Sequence, residues 1–109
     1  TYEAGKLHGL RTDYYFNGKI KTEETWKFHM LAGTTKTFYE NGTLQSVTEY
    51  RSNRKLGLYT SYHENGTIKE HGEYVADKKH KEWKTYSPDG QWLKTEIYKA
   101  GILSETITP

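Results

Sequence analysis

The side chains in this sequence that could do chemistry are its histidines, a file of carboxylates and a scatter of serines. His63 and His71 form the one histidine pair that a strand-turn-strand run could bring toward a metal. Their equivalents along the chain are Tyr15, Tyr39 and Ser87, or Glu23, Val47 and Thr95, so no second copy supports a site and surface histidines are expected. His8 and His80 share a register position but stand 72 residues apart, too far to meet in a stack. Glu23, Glu24, Glu49, Glu70, Glu73 and Glu96 would suit a glycosidase only if two faced each other across a cleft. A solvated, charge-laced sheet face accounts for them more simply. Ser46, Ser61, Ser87 and Ser104 lie in no nucleophile elbow, and neither glycine motif for phosphates is present. The expectation is a chain that is no enzyme, with no catalytic, cofactor or metal site.

Composition narrows the partners. A formal charge of +2 on 109 residues is too small for a nucleic-acid binder, which needs a clustered basic face. The absence of cysteine rules out disulfides and thiolate metal sites. No apolar run approaches the roughly 18 residues of a membrane span. Ten Tyr, three Trp and three Phe put the apolar area into a few large rings with polar handles, which is not the composition of a disordered chain. The chain begins at Thr1 rather than Met, which fits a processed or excised piece.

Those rings recur at a fixed interval. Glycines at 18, 42, 66 and 90 stand 24 residues apart, three of them in Asn-Gly and the last in Asp-Gly. Tyr2, Trp26, Tyr50, Tyr74 and Tyr98 form one column; Tyr14, Phe38, Tyr62 and Tyr86 a second; Ile20, Leu44, Ile68 and Trp92 a third. Gly9, Gly33 and Gly57 make a fourth, broken by Lys81. Gly5, His29, Asn53, Asp77 and Gly101 make a fifth, of types that tolerate a left-handed backbone. Two punctuation marks per repeat with short aromatic and β-branched runs between them predict strand, turn, strand, turn. The chain reads as one all-β domain, 1–109, of tandem antiparallel hairpins in an elongated, twisted single sheet. Its repeats are 5–28, 29–52, 53–76 and 77–100, with a partial cap at 101–109.

Pro88 fixes the turn type. It shares a column with Phe16, Glu40 and Glu64, and proline cannot take the positive φ that opens a type I′ turn. A type I turn followed by a left-handed glycine accepts it, giving three-residue loops with a bulge at Gly18, Gly42, Gly66 and Gly90. Tyr62 then faces Ile68, Tyr14 faces Ile20, Phe38 faces Leu44, and Tyr86 faces Trp92. Stepping by two along the second strand places Trp26, Tyr50, Tyr74 and Tyr98 on that same face, so all twelve side chains are expected to fill one apolar side. The reverse face, with Arg11, Asp13, Tyr15 and Lys19, reads as polar. An open sheet with one apolar face must coil or be covered.

Gly5-Lys6-Leu7-His8-Gly9, then Tyr14-Tyr15-x-Asn17-Gly18-Lys19-Ile20 closing on Trp26, resembles the MORN repeat, and more closely its bacterial variant. The resemblance covers nearly the whole chain in about four copies. It implies consecutive hairpins in a grooved sheet used for protein contacts, with membrane lipids proposed for the wider family. The bacterial variant is associated with antitoxin components of toxin–antitoxin systems. Lys81 and Ala32-Gly33 depart from the His-Gly step, so no shared histidine function carries over.

The function expected is a non-catalytic module for protein–protein interaction, antitoxin- or immunity-like or a scaffold part of a larger bacterial protein. A second reading is peripheral attachment to anionic phospholipid through a basic rim, with Phe28, Met30, Leu31, Arg54, Lys55, Lys78 and Lys79 as the contacts with partner or lipid. A third is carbohydrate binding on exposed aromatics, chiefly of the outer repeats.

Overall fold

The computed structural model describes residues 2–3, 6–7 and 9–109, with side chains from residue 9 onward. Gly5 and His8, and the side chains of Tyr2 and Lys6, lie outside the described residues. Strand β1 (Tyr2–Glu3) pairs with β2 (Lys6–Leu7). Ten further strands form one antiparallel sheet: β3 (Gly9–Tyr14), β4 (Ile20–Lys27), β5 (Met30–Leu31), β6 (Gly33–Phe38), β7 (Leu44–Arg51), β8 (Arg54–Tyr62), β9 (Ile68–Val75), β10 (Lys78–Tyr86), β11 (Trp92–Lys99) and β12 (Ile102–Ile107). Spatial order follows chain order, and β5 with β6 makes the strand that β8 and β10 make unbroken. The molecule measures 52 × 34 × 14 Å, so it is a single layer.

Two kinds of turn alternate. Within each repeat the loop is three residues long: at Glu64-Asn65-Gly66, the Gly66 N–H donates to His63 O at 2.9 Å and the His63 N–H to Thr67 O at 2.8 Å, with Gly66 at φ 92°. Between repeats the turn is two residues long with both at positive φ: Phe28-His29, Ser52-Asn53, Ala76-Asp77 and Ala100-Gly101. That is the I′ geometry whose twist matches the flanking strands.

A bulge in the second strand of every hairpin corrects the expected faces. Tyr14 pairs with Ile20, but Asp13 pairs with Thr22, so Lys21 is an extra residue. Since Tyr14 and Asp13 point to opposite sides, so do Ile20 and Thr22. The same slip follows Phe38–Leu44, Tyr62–Ile68 and Tyr86–Trp92. Trp26, Tyr50, Tyr74 and Tyr98 therefore lie on the face opposite Ile20, Leu44, Ile68 and Trp92. The rings are divided between two faces at opposite strand ends, which is how an uncovered single sheet avoids one broad apolar side.

A filled apolar core is also corrected. Tyr14 is 62% exposed and Ile68 41%, while Ile20, Trp26, Phe38, Leu44, Tyr50, Tyr62, Tyr74, Tyr86, Trp92 and Tyr98 are half-buried. The one large apolar side chain that is fully buried among the described residues is Trp83, on the face of Trp26. It lies over Gly72, between Tyr59 (ring centroids 5.4 Å) and Tyr74 (4.8 Å), and its indole N–H donates to Glu73 O at 3.1 Å.

Hydrogen bonds recurring about one repeat apart stitch the hairpins together. Tyr15 OH donates to Phe38 O at 2.5 Å, Tyr39 OH to Tyr62 O at 2.7 Å, and His63 Nε2 bonds Tyr86 O at 2.9 Å. Along the other edge, Asn53 Oδ1 accepts from the Leu31 N–H and Asp77 Oδ1 from the Lys55 N–H, each at 2.7 Å. The polar side chains of the repeat thus do the work that packing does in a two-layer fold.

Lys81 keeps the positive φ of the glycines it replaces. Its φ of 61° stands beside 107°, 91° and 111° at Gly9, Gly33 and Gly57. A left-handed conformation costs an unbranched L-residue about 1 kcal/mol that glycine does not bear. Lys81→Gly should therefore raise stability by about 0.5–1 kcal/mol in urea melts, the gain being trimmed by the looser unfolded chain. A loss would show that the Lys81 side chain makes a compensating contact.

Candidate interaction surfaces

The histidines and carboxylates do not converge on chemistry. His63 is committed to a backbone carbonyl, and because a carbonyl only accepts, Nε2 must carry the proton. His71 stacks on Tyr86 with ring centroids 5.7 Å apart and Nε2 3.3 Å from its hydroxyl. No cluster of three or more His, Cys, Asp or Glu among the described residues could hold a metal. Asp89 sits fully exposed in the last three-residue loop, where the Ser87 hydroxyl and the Gln91 N–H hold its carboxyl below the usual carboxylate range.

The face of Trp26 carries a ladder at its junction end. Trp26 pairs with Leu31, Tyr50 with Lys55, Tyr74 with Lys79, and Tyr98 with Leu103. Lys55 Nζ lies 4.8 Å from the Tyr74 ring centroid, and Lys79 Nζ lies 4.7 Å from Trp83 and 5.1 Å from Tyr98. Of the residues expected to meet a partner or lipid, Leu31, Lys55 and Lys79 stand here as half-buried rungs of the ladder, the two ammonium groups placed over rings. Sequence columns could not reveal this, because the position holds Leu31, Lys55, Lys79 and Leu103 and shows no constant chemistry.

Burial pushes the Tyr50 and Tyr74 phenols above their ordinary value of 10.0, with Asp77 and Glu24 adding to the effect at Tyr50, and Tyr59 and Glu70 at Tyr74. The unfolded chain therefore ionises these two first, so their contribution to stability is complete below pH 10 and is lost as pH rises through the higher folded-state values. Melting temperature should hold up to about pH 9 and fall above about pH 10. A phenolate absorbance that titrates as one uniform class, with no late fraction, would contradict the burial of the ladder.

The opposite face holds an open groove of about 740 Å³ in the third and fourth repeats. Leu58 and Ile97 form its apolar parts, flanked by His71, Glu73, His80 and Glu82. Cross-strand pairs Leu58–Glu73, Glu73–His80 and Glu82–Ile97 put these on one side. Leu58 is 66% exposed, an open apolar site among polar neighbours.

A third surface runs along the junction edge. The strand ends there pair Lys27 with Met30, Arg51 with Arg54, Val75 with Lys78, and Lys99 with Ile102. The five cations are exposed, and exposed Phe28, Leu56, Val75 and Ile102 lie between them. Asp77, the acid at these turns, is turned to the Lys55 amide. Of the contacts expected from the sequence, this edge brings together Phe28, Met30, Arg54 and Lys78.

Sequence reasoning missed Trp83, Tyr59 and Gly72. Their columns read Arg11, Thr35, Tyr59, Trp83 and Glu24, Thr48, Gly72, Glu96; the first turns aromatic only in its last two copies and the second is never apolar. The available signal was Gly72 itself, since a glycine inside a strand marks a close approach.

The family model that matches the chain is described as MORN repeat variant, and it matches four times, over residues 7–28, 31–52, 55–76 and 79–105. No curated protein matches it.

Proposed function

The chain belongs to the MORN repeat variant family, and from that premise we propose that it is a non-catalytic module that binds another protein in the groove around Leu58 and Ile97. Repeats of this family are generally associated with protein and membrane interaction. The observation that carries the reading is the exposed Leu58 and the half-buried Ile97, three strands apart, lining one open groove of about 740 Å³. Apolar anchors within a polar rim are what a protein contact uses. In its most specific forms, the partner is a toxin and the module its antitoxin or immunity factor, or the module is a scaffold part of a larger bacterial chain.

Leu58→Asp tests the site. It charges the groove at a surface position, so the thermal melt should stay close to that of the wild type while the partner captured by the wild-type chain is lost. A partner held equally by both chains, or turnover of a substrate by the wild type, would remove the reading.

A second reading has its own observation. The junction edge interleaves five exposed cations with Phe28, Leu56, Val75 and Ile102, a pattern suited to anionic headgroups, at roughly 1 kcal/mol per basic residue. Sedimentation with phosphatidylserine vesicles at low and high salt checks it. Arg51→Glu with Arg54→Glu should release the chain, and binding indifferent to anionic lipid would end the idea.

A further inference from the structure

A small polar cup lies on the other face from the groove, between the second and third hairpins, with a volume of about 280 Å³. Its floor is one rung of the sheet. Thr37 pairs with Ser46, Ser46 with Ser61, and Ser61 with Glu70, so three hydroxyls and a carboxylate stand in a row across β6, β7, β8 and β9. Tyr39 flanks the row on the turn side and Tyr59 on the junction side, each two residues along the chain from a floor residue.

Both rings are held before any ligand arrives. The Tyr39 hydroxyl is fixed on Tyr62 O, and Tyr59 packs against Tyr74 and Trp83 at 5.7 and 5.4 Å. Three other polar groups of the cup, by contrast, are unspent. The Gln45 amide, the Lys69 ammonium and the Glu70 carboxylate make no hydrogen bond or ion pair among the described residues. Gln45 and Glu70 are nevertheless half-buried. Flat amide and carboxylate groups give two adjacent acceptor or donor sites each, which vicinal hydroxyls satisfy in pairs. Lys69 and Glu70 cancel in charge, so the cup favours a neutral ligand over an ion.

We propose that this cup binds one neutral pyranose unit, its C–H faces against Tyr39 or Tyr59 and its hydroxyls on Gln45, Glu70 and the serine row. Rigid aromatic walls with a few fixed polar groups are what such a ligand needs. The corresponding space beside the third and fourth hairpins has Leu93 and Lys94 where this one has Lys69 and Glu70, and His63 where it has Tyr39, so the repeat does not reproduce the site. The outer repeats, where sequence alone would place a sugar, lack this combination.

Titration of the ¹⁵N-labelled chain with the methyl glycosides of glucose, galactose and N-acetylglucosamine reads the site directly. At least one should give saturable amide shifts confined to residues 37–46 and 59–70 below about 50 mM. Gln45→Ala and Glu70→Gln should each weaken that response about tenfold while leaving the rest of the spectrum in place. Absence of a saturable shift, equal shifts with glycerol, shifts elsewhere, or indifference to both variants would overturn the proposal. So would a response to inorganic phosphate alone, which would make Lys69 a simple anion contact. None of these outcomes bears on the protein-binding groove, which is on the opposite face.

Discussion

Gly72→Ala should lower the stability of this chain by about 3 kcal/mol, near the upper end for adding one methyl group to a packed site. A Cβ built on Gly72 would stand 2.6 Å from Trp83 Cγ and closer still to two other ring atoms. The indole cannot move aside, because it is 0% exposed, wedged between Tyr59 and Tyr74, bonded to Glu73 O and topped by Lys79. Trp83→Ala should cost about 3–5 kcal/mol for the lost ring. A domain of this size has in all about 5–15 kcal/mol to lose. The double variant should cost no more than Trp83→Ala alone, since removing the ring removes the clash, and that non-additivity separates a steric conflict from two independent losses. Urea melts followed by far-UV circular dichroism measure all three. If Gly72→Ala melts within about 1 kcal/mol of the wild type, the indole does not sit where the structure places it.

The architecture was legible because turn chemistry repeats. Asn-Gly at 17, 41 and 65, with Pro88 excluding a type I′ start at the fourth turn, implied three-residue loops, and the observed pairing of Tyr62 with Ile68 has that register. The faces were not legible past the first residue of each returning strand. Lys21, Gln45, Lys69 and Leu93 fall where each bulge inserts its extra residue, and nothing in those types marks a bulge. One uncounted residue per hairpin moved Trp26, Tyr50, Tyr74 and Tyr98 to the other side. The same slip hid the Trp83 cluster, because a face read as Arg11, Asp13, Tyr15 and Lys19 in the first repeat becomes Trp83 over Gly72 in the last hairpins. Period averaging finds what the copies share, and the most buried contact of this chain is what they do not.

The junction turns carry the second large effect. Asp77 has φ 69°, and its Oδ1 accepts from the Lys55 N–H at 2.7 Å while its own N–H donates to Lys55 O at 3.0 Å, closing a ring of two bonds between successive repeats. Asp77→Ala removes an exposed side-chain bond worth about 0.5–1.5 kcal/mol and leaves a Cβ residue in the left-handed region without the local bonding that Asp uses there, so about 1.5–3 kcal/mol should be lost. Asp77→Gly keeps the backbone at ease and loses only the bond, so it should fall between alanine and wild type. Asp77→Asn should be nearly neutral, for Asn53 makes the same two bonds to Leu31 at 2.7 and 3.0 Å one repeat earlier. That ordering, asparagine above glycine above alanine, is specific to a side-chain oxygen pinning a left-handed turn to the strand before it. If Asp77→Asn proved as damaging as Asp77→Ala in urea melts, the carboxylate would be acting through its charge, for instance on Tyr50, and the stacking of repeats would have to rest on the backbone alone.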